Sequence, residues 1–399
     1  MIHVAIFGYG TVGTGVAEVL VQNAERLTSA AGSPVAVKYI LERAARPDVL
    51  FADKITQDIE QILADPEVSI VIECIGGQTA ALDFVKRAIL AGKHVVTSNK
   101  ELVAAHGVEL IALARARNLN FLFEAAVGGG IPIIRPLSQC LAANEITEIC
   151  GILNGTTNYI LTQMEAYNQP FDAALQGATE EGYAEADPTD DIDGHDACRK
   201  ICILASLAFG RHVYPETVRV QGISHVTTLD MQYAKAAGFA IKLLGRAKRQ
   251  NDKTICYVAP HLVAQSRTLS NVDGVFNAVL FHGNVVGDVL FYGQGAGKLP
   301  TASAMVADVV DVCRHLHARR DLGWTDSSPD HMGDSDDLIT PWYVRGEQGI
   351  EANFSPFAPI PLEHAEADSI AFLTEPMCKS ELNSKLPNRA DVVAFRLLE

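Results

Sequence analysis

The first thirteen residues constrain this chain more than any other stretch. Ile2 to Phe7 is an unbroken run of strand formers, and it leads into Gly8-Tyr9-Gly10-Thr11-Val12-Gly13. Val12, Val16, Val19 and Leu20 then recur at helical spacing. A strand, a G-x-G-x-x-G turn and a helix make the opening of a βαβ unit, which belongs in a parallel sheet. The glycines serve a tight turn, close approach of backbone to a pyrophosphate, and helix–strand packing. Phosphate oxygens would rest on the first-turn N–H groups, where the helix dipole favours anions. Gly8, Gly10, Thr11, Val12 and Gly13 are therefore candidate dinucleotide contacts.

The strands that follow extend this reading. Val35 to Leu41 ends in Glu42-Arg43, with Arg46 near. An acidic residue there would bond a ribose diol and favour NAD, whereas an arginine would receive the 2′-phosphate of NADP. Both stand side by side, so the choice is open. Val68–Cys74 and His94–Thr97 read as further strands around a helix at Ala81–Ala91, and Thr97-Ser98-Asn99-Lys100 closes the second of them. Ligands of open parallel sheets lie beyond the carboxyl ends of the strands, which directs Lys100 toward cofactor and substrate. Asn120–Ala125 is expected to be another strand, followed by Val127-Gly128-Gly129-Gly130-Ile131-Pro132. Its glycines suit either a cation held by carbonyls and Glu124 or a tight crossover between domains. The residues favour the crossover, and a first domain of 1–130.

Composition excludes several classes. With 32 basic against 48 acidic residues the net charge is −16, which disfavours nucleic acid and anionic membranes as partners. The eight cysteines are scattered without a CxxC. Reduced thiols, an opening that enters a strand directly and the lack of a long apolar run lead to the expectation of a cytoplasmic protein.

Beyond residue 130 the pattern changes. Ile146–Leu153, Val218–Ile223, Ile255–Leu262 and Val275–Leu280 alternate in part. With helices at Thr157–Tyr167, Asp196–Phe209 and Met231–Lys248, they suggest an α+β domain over 131–299. Asn154-Gly155-Thr156-Thr157-Asn158-Tyr159 is small and polar, suited to a ligand or to helix capping. The stretch Gly182–Lys200 carries Glu185, Asp187, Asp190, Asp191, Asp193 and Asp196, then ends in Asp196-x-x-x-Lys200. That spacing puts Asp196 and Lys200 on one helix face. Alone, such a pair reads as a surface ion pair. In this company it could hold an ammonium-bearing substrate and present an acid–base amine. Gly293-Gln294-Gly295-Ala296-Gly297 is a second glycine turn, opening a helix over 300–320 expected to return to the first domain. A polar linker at 322–340 precedes a small module at 341–399.

Taken together, GYGTVG, TSNKELVA, FEAAVGGGIPII, LNGTTNYIL, GYAEADPTDDIDGHDACRKICILASLAFG and GQGAGKLPTASA resemble the motifs of homoserine dehydrogenases, in that family's order, over residues 1 to about 320. The resemblance implies a doubly wound, mostly parallel Rossmann domain, an α+β substrate and dimerisation domain, and a homodimer or dimer of dimers. It implies NAD(P)-dependent interconversion of L-homoserine and L-aspartate 4-semialdehyde, in threonine, methionine and isoleucine biosynthesis. Carried over by motif, Lys200 is the acid–base group and Lys100 a second essential lysine near the nicotinamide. Asp196, Glu185 and Asp191 match substrate-site residues, and Gly182, Glu185 and Gly295 lie near the cofactor. Glu124, with the carbonyls of Val127, Gly129 and Ile131, matches a monovalent-cation site, usually sodium. On resemblance alone, that replaces the crossover reading.

The chemistry suits these residue types. Hydride reaching an aldehyde leaves negative charge on its oxygen, which a lysine ammonium can stabilise and protonate. Neighbouring lysines would lower each other's pKa, while Asp196 would oppose the drop. The C-terminal segment departs from the pattern. Trp342–Arg345 and Ile370–Leu398 look like parts of an ACT domain, but the turn and helix after its first strand are missing, which leaves a shortened ACT-like module. Two rival readings are an aspartate-semialdehyde dehydrogenase, which needs a cysteine nucleophile, and a non-catalytic dinucleotide sensor.

Overall fold

The computed structural model describes residues 1–44, 46–318, 321–362, 369–387 and 392–398. The chain divides into two compact units, 1–145 with 202–215 and 293–327, and 146–201 with 216–292 and 328–399.

The first unit is built on a six-stranded sheet. Its strands are β1 (Ile2–Phe7), β2 (Val35–Leu41), β3 (Ile55–Thr56), β4 (Val68–Glu73), β5 (His94–Thr97) and β6 (Phe121–Leu122). Their order is β3-β2-β1-β4-β5-β6, and all the pairings are parallel. The order reverses between β1 and β4, and such a switch point opens a crevice at the carboxyl edge. β1 and β4 read as apolar runs because helices cover both sheet faces, so Val4, Ile6, Ile70 and Ile72 are all fully buried. The helix Lys298–Arg314 packs on the helix Thr11–Gln22, and a Cβ at Gly15 would come within 2.9 Å of Lys298. The end of the expected 300–320 helix at 319–320 lies outside the described residues. The expected strand Asn120–Ala125 shrinks to β6, because Ala125–Gly128 turns helical before Gly129, where φ is +55°.

The second unit carries a ten-stranded mixed sheet. It comprises β7 (Ile146–Ile152), β8 (Arg219–Val220), β9 (Phe239–Gln250), β10 (Lys253–Ala264), β11 (Phe276–Gly283), β12 (Gly287–Gln294), β13 (Trp342–Glu347), β14 (Phe357–Pro359), β15 (Ser369–Thr374) and β16 (Val393–Leu398). The path runs β12-β11-β7-β9-β10-β16-β13-β15-β14, with β8 on β10. The strands of the C-terminal segment thus continue this sheet, β16 pairing in parallel with β10.

Met231–Lys248, expected as one helix, is two elements. Thr227 and Asp230 form a capping box for a helix that runs only over Thr228–Ala236, and Gly238 ends it with φ +80°. The next twelve residues form β9, between β7 and β10. Lysine, leucine, alanine and arginine favour a helix by propensity, but two strand partners override it. The burial of both faces shows the cause. Lys242 is fully buried, its ammonium donating to Val272 O at 2.8 Å and to Asp273 at 2.9 Å, and Arg246 pairs with Glu148 at 2.7 Å.

Candidate active site

At the switch point of the first unit, Gly8 takes φ +87°, with Cys74 backbone 3.0 Å from the place of a Cβ. A Cβ on Gly13 would lie 2.1 Å from Gly8 O, so only hydrogen fits there. At Gly10, by contrast, a Cβ would meet nothing within 4 Å. Gly10 heads the helix Thr11–Gln22 without a side-chain cap, which leaves first-turn N–H groups of Thr11, Val12 and Gly13 facing an open cradle. This cradle fits a pyrophosphate. The second glycine turn belongs to the same unit. Gly295 is buried against Gly129, and Lys298 pairs with Glu18 of the first helix at 2.6 Å.

The end of β2 shows how its charges are used. Glu42 accepts from Tyr9 N at 2.9 Å and Arg43 N at 2.8 Å, so its carboxylate ties the strand end to the glycine turn. Arg46 donates to Tyr9 O and lies over the Tyr9 ring, while Arg43 is exposed.

The ends of β4 and β5 are joined by a buried network that the sequence reading missed. Glu73, fully buried, accepts from Ile75 N at 2.6 Å and from Thr97 Oγ1, and burial pushes its pKa up to about 7. Asn99 caps the helix Lys100–Ala116 and donates to Ile75 O at 3.1 Å and Gly77 O at 2.7 Å. Lys100, half-buried, is the first residue of that helix. The thiol of Cys74 is raised well above its ordinary value by burial, then by Glu73, which disfavours a thiolate nucleophile.

In the second unit, Asp196 and Lys200 share a face of the helix His195–Phe209 and are 1% and 8% exposed, far from a solvated surface pair. Lys200 Nζ donates to Asp196 Oδ2 at 2.7 Å and Leu153 O at 2.9 Å. Asn154 connects the rest. Its Nδ2 donates to Asp191 at 2.7 Å and to Asp196 at 2.9 Å, and its Oδ1 caps the helix Gly155–Tyr167 at Thr157 N, 2.8 Å away. Burial raises the Asp191 pKa, and the Asp196 charge raises it further. The structure therefore brings Asp191, Asp196 and Lys200 together through Asn154, which a polar stretch hinted at but no charge pattern singled out. Glu185 and Gly182 are exposed, and no contact among the described residues ties Glu185 to this cluster. Elsewhere in the acidic stretch, Asp187 accepts from Thr189 N at 3.1 Å and Asp190 pairs with Arg199.

Glu124 lies in the first unit. Its carboxylate accepts from the N–H groups of Ile133 at 2.6 Å, Ile134 at 2.7 Å and Arg135 at 2.8 Å. Loop hydrogen bonds nearby end on the carbonyls of Gly128 and Gln294. Outside the helical turn, none among the described residues ends on Val127, Gly129 or Ile131. A carboxylate with carbonyl oxygens is a donor set compatible with a hard monovalent cation.

The parallel sheet with its glycine turn places the first unit in the class of dinucleotide-binding domains. Comparison with known proteins gives the particular family. Residues 8–124 match the family profile "Homoserine dehydrogenase, NAD binding domain", and residues 132–310 match "Homoserine dehydrogenase". The homoserine dehydrogenase of Pseudomonas aeruginosa is 46% identical over 316 residues, 79% of this chain and 73% of that one. A crystal structure of a homoserine dehydrogenase from Thiobacillus denitrificans superposes with a TM-score of 0.91 at 39% identity, covering 100% of this chain and 98% of that one. A hyperthermophilic archaeal homoserine dehydrogenase in complex with NADPH gives 0.66 at 26% identity over 78% of this chain and 97% of that one. The chain belongs to the homoserine dehydrogenase family. Its activity is NAD(P)-dependent oxidoreduction between L-homoserine and L-aspartate 4-semialdehyde, and nothing favours the sensor reading.

Proposed function

We propose that Lys200 is the acid–base group of this reaction and that Asn154 and Asp196 position it. The observation that carries the proposal is the placement of Nζ, held at once by Asp196 Oδ2 and the Leu153 carbonyl. A buried ammonium so held can donate a hydrogen bond to the carbonyl oxygen of the semialdehyde and then its proton as negative charge grows there. In the oxidative direction the neutral amine takes the hydroxyl proton of homoserine, and Asp196 stabilises the ammonium that forms. Asp191, Asp196 and Glu185 supply negative charge for the substrate's amino group, and Lys100 is a second lysine beside the nicotinamide. The first-turn N–H groups from Thr11 to Gly13 hold the pyrophosphate, with Gly8, Gly10, Gly182, Glu185 and Gly295 around the cofactor. When bound, the nicotinamide supplies or accepts the hydride.

NADP is the better fit of the two cofactors. Glu42 is already engaged by Tyr9 and Arg43 N–H groups, while the Arg43 side chain stands exposed at the strand end, ready for a 2′-phosphate. The NADPH complex of the archaeal relative agrees with this choice. Sodium at Glu124 with the carbonyls of Val127, Gly129 and Ile131 is a structural ion in this proposal. A melting temperature unchanged on exchanging sodium for tetramethylammonium would remove it. Eight free thiols support a reducing, cytoplasmic compartment. No helix among the described residues is long and apolar enough to cross a membrane. The family's domain plan supports a homodimer or dimer of dimers, which sedimentation would test.

The deciding experiment is initial rates with L-homoserine and NADP+ for the wild type and Lys200→Ala. The variant is expected to keep cofactor binding and lose at least ~100-fold in kcat, the usual scale for a general acid–base group. Near-wild-type turnover would remove Lys200 from the chemistry.

A further inference from the structure

A cavity of about 430 Å³ lies wholly within the second unit, where β16 meets β10 and β13. Its lining includes Arg219, Tyr257, Asp336, Trp342, Lys379 and Arg396. Arg396 is 5% exposed, its guanidinium 4.3 Å from the Trp342 ring centre and 5.1 Å from that of Tyr257. Nη2 donates to Ser335 O at 2.9 Å and stands 3.8 Å from Asp336. Nη1 is buried and has no hydrogen-bond partner among the described residues. A buried N–H without an acceptor is costly, and a guanidinium fork is shaped for oxyanions.

The surroundings point the same way. Lys379 is half-buried, its ammonium 4.8 Å from the Trp342 ring centre. No ion pair to a carboxylate is formed by it among the described residues. Burial and the nearby Arg396 charge both lower its pKa, as befits a cation placed beside another cation. Arg219 is committed to Asp334 at 2.9 Å and to Asp336 at 3.4 Å. Three cations therefore line the cavity against one carboxylate, Asp336. The volume lies in the range of small-molecule sites, and Asn383 adds an amide for the remainder of a ligand.

We propose that this cavity binds a small organic anion through its carboxylate or phosphate group, with Lys379 Nζ as the hydrogen-bond donor and the Arg396 guanidinium as the positive charge in the cavity wall. The site uses none of the residues assigned to hydride transfer.

Isothermal titration calorimetry on the full chain, with the dinucleotide site saturated by NADP+, tests it. The probes are inorganic phosphate, succinate and, as a neutral isostere, succinamide. Binding of phosphate or succinate with a Kd of millimolar or tighter is expected, with none of succinamide; whichever anion binds identifies the source of the oxyanion. Lys379→Met should weaken that binding at least tenfold at an unchanged melting temperature. Asp336→Asn should tighten it several-fold, because a competing carboxylate is removed, and this sign decides the matter if Lys379→Met fails to fold. No heat from either anion at about 10 mM, or equal affinity in the wild type and both variants, would overturn the proposal.

Discussion

One carboxylate oxygen of Asp196, Oδ2, receives the Asn154 amide at 2.9 Å as well as the Lys200 ammonium at 2.7 Å. Asn154 and Asp196 come from different elements, so the pair ties the start of one helix to the start of another. Because the same amide also holds Asp191, its loss would leave the buried Asp196 and the half-buried Asp191 facing each other without a shared donor. Asn154→Ala is expected to cost about 1–3 kcal/mol of stability. It should also shift the pH profile of kcat more than that of cofactor binding. Thermal melts and pH–rate profiles check both, and an unchanged profile would limit Asn154 to capping.

The strand end after β2 makes a cofactor prediction. Arg43→Ala should lower kcat/KM with NADP+ at least tenfold and leave the NAD+ value nearly unaltered, since only NADP carries a 2′-phosphate. Equal losses with both cofactors would place Arg43 outside the ribose pocket.

Glu73 makes stability depend on pH. Its folded pKa, about 7, lies above the ordinary carboxylate value of 4.5, so the folded state holds its proton longer than the unfolded chain. Its contribution is therefore fully present below about 4.5 and is lost as pH rises toward 7. Glu73→Gln should flatten that part of the curve and raise the melting temperature at pH 8 relative to pH 5, compared with the wild type. An identical pH dependence in both proteins would contradict this.

Two glycines of the first turn should behave differently. Gly13→Ala puts a methyl 2.1 Å from Gly8 O, and is expected to destabilise the first unit by ~1–3 kcal/mol and to abolish cofactor binding. Gly10→Ala, with nothing within 4 Å, should melt like the wild type yet bind the dinucleotide more weakly, because its methyl occupies the cradle. Fluorescence titration with NADPH beside thermal melts separates the two.

What the sequence determined by itself was local or repeated by motif. The β1 run and its glycine turn are legible because each step depends on neighbours a few residues away, and because a parallel sheet buries its strands as plain apolar runs. The spacing of Asp196 and Lys200 is likewise a property of one helix. Tertiary structure alone decided the rest. Lys242 and Arg246 read as helix-forming residues, and only their partners Asp273 and Glu148 and the flanking strands β7 and β10 make β9. Of the carboxylates between residues 182 and 200, composition cannot say which is buried. Asn154 chooses the buried Asp196 and the half-buried Asp191, because carboxylates withdrawn from water need donors and this one comes from a stretch some forty residues away. The C-terminal strands show the same limit. Their likeness to parts of an ACT domain suggests strands, but which edge they join is a non-local choice, made where β16 lies along β10.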